Sequence, residues 1–398
     1  MTAAPAEAFV AELRAWLEAN CPVSQRAPLG GEADEVWGGR RGRFPSEDAR
    51  LWLSRAAERG FTAPTWPREY GGAGLGPAEA RVLDEEMRRL GCRLPLRSLG
   101  IWMLGPVLLE FGDEAQKRRH LPPMARGEIR WCQGYSEPGA GSDLASLSTR
   151  AVRDGECFVV EGQKVWTSHA DKADWMFCLV RTEAGASKHE GISFLLIDLE
   201  SPGVSVRPIQ LISGSSPFCE TFFDGVRVPA ANLVGRAGQG WTIAKALLGH
   251  EREAVARLRD ARTDEEEPLE ALARRTVGMR DGVLAEPILR DRIAQANLDF
   301  LCQKLTLRRS AERAQAGRGP GPEASIAKLY GTELNQRRRD LRVLCLGTQG
   351  LGWEGEGYSA EELATTRDWL RSRANTIEGG TSEIQLNIIA KRVLGLPD

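Results

Sequence analysis

The spacing of apolar residues changes period twice along this chain, and that limits the folds open to it more than any other feature. Up to about residue 125 apolar positions recur at helical spacing, in Ala6–Leu17, Asp48–Arg59, Pro77–Leu90, Leu104–Phe111 and Glu114–Leu121. From Ile129 to Val234 short β-rich runs take over, among them Trp175–Val180, Ile192–Ile197, Val204–Ile209 and Glu220–Val228, separated by Gly, Pro and Asp turns. After Gly235 helical spacing returns, in Trp241–Ala261, Arg290–Ala316, Glu323–Cys345 and Ser382–Leu394. No gap between the strands is long enough for a helix, which argues against a doubly wound nucleotide fold. The reading is an α+β chain in three parts. A helical domain spans 1–128, a small β-barrel or two-sheet domain 129–235, and a second helical domain 236–398.

The punctuation fits this division. Gly60 ends the second helix, and Pro122-Pro123 is predicted to stop the fifth. Ser24–Arg43, rich in Gly, Arg and Glu, reads as a long loop, and Asp260–Pro268 as a charged break. Gly317–Pro322 is a turn between two long helices, which should therefore pack antiparallel. Ser382 and Gln385 are placed to form a capping box at the start of the last helix.

Composition narrows the function. A formal net charge of −2 on 398 residues gives no reason to expect nucleic acid or an anionic membrane as partner. No apolar run is long enough to span a bilayer. The first twenty residues, MTAAPAEAFVAELRAWLEAN, are interrupted by acids and read as an amphipathic helix, not a signal peptide. Eight cysteines are scattered singly, without a CxxC pair, as expected for thiols of a cytoplasmic protein. The four histidines, at 120, 169, 189 and 250, show no metal-ligand spacing, so no metal is expected.

The segment Trp131–Ser168 carries the densest chemistry. It passes through a Gly-rich turn, Glu137-Pro138-Gly139-Ala140-Gly141-Ser142-Asp143, and then reads as strands at Thr149–Arg153, Cys157–Glu161 and Lys164–Ser168. Tyr135 and Ser136 stand at one end, Trp166, Thr167 and Ser168 at the other. Hydroxyls, freed backbone amides and an indole face suit a planar ligand with polar edges. On spacing alone an ordinary turn between strands is the more frequent reading of Gly-Ala-Gly-Ser.

As a string, this segment resembles the flavin-binding signature of the acyl-CoA dehydrogenase family. Asn375-Thr376-Ile377-Glu378-Gly379-Gly380-Thr381-Ser382-Glu383-Ile384-Gln385 resembles that family's C-terminal signature, and Trp66-Pro67-Arg68-Glu69-Tyr70-Gly71-Gly72 its WPxEYGG stretch. The resemblance covers nearly the whole chain and is similar in character to bacterial members such as the pimeloyl-CoA dehydrogenase large subunit. It implies a four-helix bundle as the last domain. It also implies FAD as cofactor, held by Gln133, Tyr135, Ser136, Trp166, Thr167 and Ser168 and, at its diphosphate and adenosine, by Thr381 and Glu383. Ser142 falls where the family meets the pantetheine of its thioester substrate, and Arg252 where it shapes the substrate site. Two stretches depart from the family pattern and put FAD contacts across subunits in question. Arg274-Arg275-Thr276-Val277-Gly278 lacks the phenylalanine of Arg-x-x-Phe-Gly, and Leu344 stands where Gln-x-x-Gly-Gly-x-Gly has glutamine.

Dehydrogenation of an acyl thioester needs a carboxylate to take the α-proton while the β-hydride passes to flavin N5. On Thr242–Leu258 the apolar stripe is Ala244, Leu247, Leu248, Val255 and Leu258, and Glu251 interrupts it. An acid on a core-facing stripe marks a candidate functional residue, although an ion pair with Arg252 or Arg257 reads equally well from pattern alone. The resemblance favours Glu251-Arg252 as base and neighbour, with Glu378 as the second candidate. Expected partners are an acyl-CoA thioester, an electron-transfer flavoprotein and further subunits in a homodimer, homotetramer or heteromer. Two alternatives stay open: an acyl group tethered to a carrier protein (acyl-carrier-protein thioester) in biosynthesis, and a non-catalytic partner subunit.

Overall fold

The computed structural model describes residues 3–183, 187–250, 267–313 and 324–397. Its contacts divide the chain into two compact units: Met1–Ile209 with Pro217–Ala261, and Gln210–Ser216 with Arg262–Asp398.

In the first unit α1 (Ala3–Asn20), α2 (Glu47–Glu58) and α3 (Pro77–Leu90) enclose Leu13, Leu17, Trp52, Ala56, Phe61, Leu83 and Met87. Ser46 caps α2 by accepting a hydrogen bond from the Ala49 amide, and Glu47 and Asp48 follow in the first turn, where the helix dipole favours acids. Then come α4 (Gly105–Phe111) and α5 (Glu114–Ala125). Gly105 is required: a Cβ there would lie 1.8 Å from Cζ2 of the buried Trp66. The two prolines predicted to stop α5 lie inside it instead. They fall in its last turns, where their fixed φ is already helical. Their carbonyls still accept, from the amides of Arg126 (3.1 Å) and Glu128 (2.9 Å).

The middle segment forms one hydrogen-bonded sheet of eight strands: β1 (Trp131–Gly134), β2 (Arg150–Asp154), β3 (Cys157–Ser168), β4 (Trp175–Arg181), β5 (Ile192–Asp198), β6 (Val204–Ile209), β7 (Phe218–Pro229) and β8 (Leu233–Val234). The order is β6-β7-β3-β2-β4-β5-β8, with β1 parallel to β4 and Trp131 opposite Trp175. The runs read as separate strands at 157–161 and 164–168 are one strand, β3. Its pairing with β7 shifts register between Val160 and Gly162 and again between Lys164 and Thr167. Two bulges let one long strand bend where two short ones were expected.

Strands β4 and β5 alternate between two cores. Phe177, Leu179, Phe194 and Leu196 pack with Leu104, Val107, Leu108, Leu121 and Met124 of the N-terminal helical segment. Met176, Cys178, Val180, Leu195 and Ile197 face the other way, toward Phe158, Val160, Phe223 and Val226. Each buried side chain of this size contributes about 1.5–3 kcal/mol, so a strand apolar on both faces fixes its place in the sheet. Helix α6 begins at 240 and is described to 250; its Ile243, Ala244 and Leu247 join the first of these cores.

The second unit holds α7 (Leu269–Thr276), a short hairpin of β9 (Met279–Arg280) and β10 (Val283–Leu284), α8 (Pro287–Arg313), α9 (Ala324–Leu346), α10 (Ala360–Ser372) and α11 (Ser382–Ile388). Its core is Leu269, Leu272, Ala273, Leu289, Ile293, Ala296, Leu341 and Cys345. Arg337 bonds Asp299 and Arg338 bonds Asn297, the reversed order expected of antiparallel α8 and α9. The expected turn between them at 317–322 lies outside the described residues. Sequence periodicity missed α7 and α10. For α10 the missed signal was local: Ser359 and Glu362 form a capping box, each side chain accepting from the other's amide (3.2 and 2.7 Å). The cap of α11 is Thr381, one residue before the expected Ser382, and its hydroxyl accepts from the Ile384 amide.

Candidate active site

The Gly-rich turn is closed by reciprocal bonds between the backbones of Glu137 and Ala140 (3.1 and 3.0 Å). Added Cβ atoms on Gly139 or Gly141 would meet no protein atom within 4 Å, so this turn keeps open room along its backbone. Its anchor is the Glu137 carboxylate. That group accepts from the Ser148 amide (2.6 Å) and hydroxyl (2.9 Å), the Thr149 amide (2.9 Å) and Lys164 Nζ (2.8 Å). Lys164, completely buried on β3, also donates to the Tyr135 carbonyl (3.0 Å). Burial works to raise the Glu137 pKa, but the charge of Lys164 and the converging hydrogen bonds outweigh it and hold the carboxyl down to about 2. One ion pair thus joins the end of β1, the turn, the entry to β2 and the middle of β3. Sequence reading gave neither residue a role. The signal was present: Lys164 continues the inward positions Phe158 and Val160 at a period of two.

Beyond Lys164 the second bulge puts Trp166 at φ 61°, a left-handed conformation that a bulky L-residue seldom adopts. The preceding Val165 amide donates to the Ser136 carbonyl (2.9 Å). The backbones at Ser136 and Trp166 therefore run side by side, which unites the two halves of the predicted site. Trp166 is 54% exposed, and its ring meets that of Phe218 edge-to-face with centroids 6.1 Å apart. Thr167 lies alongside, with its hydroxyl engaged inside the sheet by the Cys219 carbonyl and the Thr221 hydroxyl (both 2.9 Å), so its main chain is what a ligand can meet. Ser168 is half-buried opposite Phe218. Tyr135 turns its ring into the core, edge-on to Phe177 and Phe194, and half-buried Gln133 sits opposite Phe177 on β4. Exposed Ser142 stands on the turn, beside the Asp143–Lys188 ion pair.

In the second unit the loop before α11 is tied down by Lys328 Nζ on the Gly380 carbonyl (2.5 Å) and by the Gln385 side-chain Nε2 on the Gly379 carbonyl (3.3 Å). Thr381 is half-buried at the cap and Glu383 exposed in the first turn. The buried Ser382 hydroxyl has no hydrogen-bond partner among the described residues. Both Glu378 oxygens are already engaged, one by Arg371 (2.7 Å) and the other by Asn375 (2.6 Å). Glu251 and Arg252 lie outside the described residues. The stripe leading to them is inward-facing as expected, with Ala244 and Leu247 buried and Leu248 packed against the same core.

Three consecutive stretches match the N-terminal (residues 6–128), middle (132–226) and C-terminal (238–394) domains described for acyl-CoA dehydrogenases. The chain belongs to the acyl-CoA dehydrogenase family. It is 39% identical over 98% of both chains to "Acyl-CoA dehydrogenase IpdE1" of Mycobacterium tuberculosis. Among solved structures, "Tcur3481-Tcur3483 steroid ACAD" aligns at TM-score 0.76 and 32% identity, covering 100% of this chain and 99% of that one. The "ChsE4-ChsE5 complex from Mycobacterium tuberculosis" aligns at TM-score 0.72 and 30% identity, covering 98% and 97%. This acyl-CoA dehydrogenase is an oxidoreductase of acyl thioesters. Among its described residues no helix is long and apolar enough to cross a membrane.

Proposed function

We propose that the chain is an FAD-dependent dehydrogenase that oxidises the α,β-bond of an acyl thioester, with Glu251 taking the α-proton. The observation that carries this reading is the bulge at Trp166, which presents a half-exposed indole in a strained backbone beside Ser136. Strain of this kind costs about 1–3 kcal/mol and persists where function uses it. A half-exposed indole ring, open room along the turn and main-chain groups at 135–136 and 166–168 fit a flavin ring system. Bound FAD supplies the acceptor for the β-hydride.

The chain's own residues supply the rest. Gln133, Tyr135 and Ser136 would hold the pyrimidine side, the last two through their main chain, while Trp166 would cover the ring system and Ser168 would offer it a hydrogen bond. Thr381 and Glu383 would hold the diphosphate and adenosine, and Ser142 would meet the pantetheine. Glu251 holds the abstracted proton in a water-poor site, and Arg252 shapes the pocket around it. Glu378 is the weaker candidate for base, because Arg371 and Asn375 occupy both of its oxygens.

The relatives described as steroid ACADs and as a two-component complex support a bulky polycyclic acyl-CoA over a linear fatty acyl-CoA, and a heteromeric over a homo-oligomeric assembly. Half-exposed Leu298, Leu301 and Leu305 recur on one side of α8, an apolar stripe suited to another subunit. Electrons leave to an electron-transfer flavoprotein, and the protein works in the cytoplasm. Anaerobic titration of the purified yellow protein tests the reading. A CoA thioester of a steroid side-chain acid is expected to bleach the flavin's visible absorbance more completely than a straight-chain acyl-CoA or a carrier-bound acyl group. Bleaching only by carrier-bound thioesters points to the biosynthetic alternative. No bleaching by any thioester, alone or with a co-expressed partner, contradicts a catalytic chain and favours a non-catalytic subunit.

A further inference from the structure

The stretch 24–43, expected to be a long loop, is pinned in its second half beside the start of β1. The Arg97 amide donates to the Val36 carbonyl (2.7 Å), and the Gly39 amide to the Gly127 carbonyl (2.9 Å). The Arg40 amide donates to Asp174 Oδ2 (3.0 Å), which also takes the Arg130 amide (2.8 Å). Gly38, at φ 68°, is required for this path, because a Cβ there would lie 2.3 Å from the Gly127 carbonyl oxygen. Between these anchors stands half-buried Trp37. Its indole is fixed on its own account. Nε1 donates to Glu35 Oε2 (3.0 Å), Arg97 holds the other Glu35 oxygen, and the guanidinium carbons of Arg130 and Arg97 lie 4.5 and 5.1 Å from the ring centre. The fixed indole meets the ring of His169, with centroids 4.9 Å apart and planes tilted by 51°.

His169 is where the chain leaves β3, directly after Ser168. It is left-handed (φ 53°), as is Trp166 (φ 61°), and Asp281 is the one other non-glycine residue so placed among the described residues. Histidine tolerates this region better than most side chains, yet such a conformation persists only where its surroundings over-determine it. Two constraints on His169 are main-chain: its amide donates to the Pro217 carbonyl (2.7 Å), and its carbonyl accepts from the Lys172 amide (3.0 Å). The Trp37 ring adds a third, through the side chain. We propose that Trp37 is a positioning residue: by holding the His169 ring it locks the turn after β3 and fixes Ser168 on the wall of the flavin site, an assignment that rests on FAD binding there. A segment ordered before the ligand arrives spares the binding step the cost of ordering it. Loss of Trp37 is therefore read as greater motion of 166–172 and weaker FAD binding, with the rest of the fold intact.

The test measures hydrogen exchange of the FAD-free full-length protein by peptide mass spectrometry, beside fluorescence titration with FAD. In Trp37→Leu, exchange in the peptide carrying the His169 and Lys172 amides should rise about tenfold while α2 and β4 keep their protection, and FAD binding should weaken about tenfold. Trp37→Phe, which keeps a ring against His169, should restore both. His169→Gly accepts the left-handed backbone but removes the ring, and in that background Trp37→Leu should weaken FAD binding no further. Unchanged exchange in Trp37→Leu, raised exchange with parental FAD affinity, or a further loss in the His169→Gly background overturns the proposal. If Trp37→Leu does not fold, His169→Gly decides alone: it should show the same local rise and the same weakening, and parental FAD affinity in it overturns the proposal. Trp166→Gly separates this inference from the site it rests on. Weakened FAD binding there with parental affinity in Trp37→Leu overturns the role of Trp37 only, whereas parental affinity in Trp166→Gly misplaces the flavin site and takes the proposal with it.

Discussion

Lys164 and Glu137 show how one buried ion pair can pin the backbone segments around a candidate site. Two buried charges are tolerated here because the carboxylate receives four hydrogen bonds and the ammonium a carbonyl besides. Removing one partner is far worse than removing both. Lys164→Met should cost roughly 3–5 kcal/mol at neutral pH, whereas Glu137→Gln with Lys164→Met should recover part of that loss. The pH dependence separates the two variants from the parent. In the parent the folded carboxyl is depressed to about 2, so its contribution is full above the unfolded value near 4.5 and disappears as pH falls toward 2. In Lys164→Met burial acts unopposed by the lysine and raises that carboxyl, so stability is lost as pH rises through it. Urea midpoints between pH 3 and 7 check this: the deficit of Lys164→Met should shrink toward pH 3, and a constant deficit would deny the pair its role. His120 sets a second acid limit. Burial and the Arg119 charge lower it to about 4 between the rings of Trp131 and Trp175. Its contribution is present above the unfolded value near 6.5 and lost as pH falls through 4.

Strand β3 is the element on which the site turns, and its second bulge separates fold from function. Trp166 is half-exposed and strained, so its ring adds little to folding while costing backbone energy. Trp166→Gly should leave the melting temperature of the FAD-free protein unchanged or slightly higher. Loss of one stacked ring, worth ~1.4 kcal/mol, should weaken FAD binding about tenfold. Fluorescence titration with FAD, beside a melt of the FAD-free protein, measures both; a fall in melting temperature with FAD affinity unchanged would assign Trp166 to packing. The contents of this strand were legible in sequence, and its continuity was not. Gly162 and the run to Ser168 read as a break because bulges leave no mark on a period-two pattern beyond a glycine. For the same reason Thr167 was read as a ligand side chain, while the long-range pairing with β7 points its hydroxyl at Cys219 and Thr221. In α5 the error ran the other way, since Pro122 and Pro123 are helix breakers only where an amide is needed.

At the scale of the molecule, the change of period from helical to β to helical carried the architecture. The signatures at 131–168 and 375–385 carried the family, and the matches over 6–128, 132–226 and 238–394 bear that out. Elements set by packing or by a single cap were harder to see. Helix α7 begins after a charged break, and α10 announces itself only through Ser359 and Glu362. The assignment of the base rests on sequence and on the engaged state of Glu378, and one comparison decides it. FAD-loaded parent, Glu251→Gln and Glu378→Gln proteins, each with any co-expressed partner, are mixed anaerobically with a thioester that bleaches the parent. Flavin reduction should be lost in Glu251→Gln with its FAD still bound, and should persist in Glu378→Gln. Near-parental reduction in Glu251→Gln together with loss in Glu378→Gln would contradict the account.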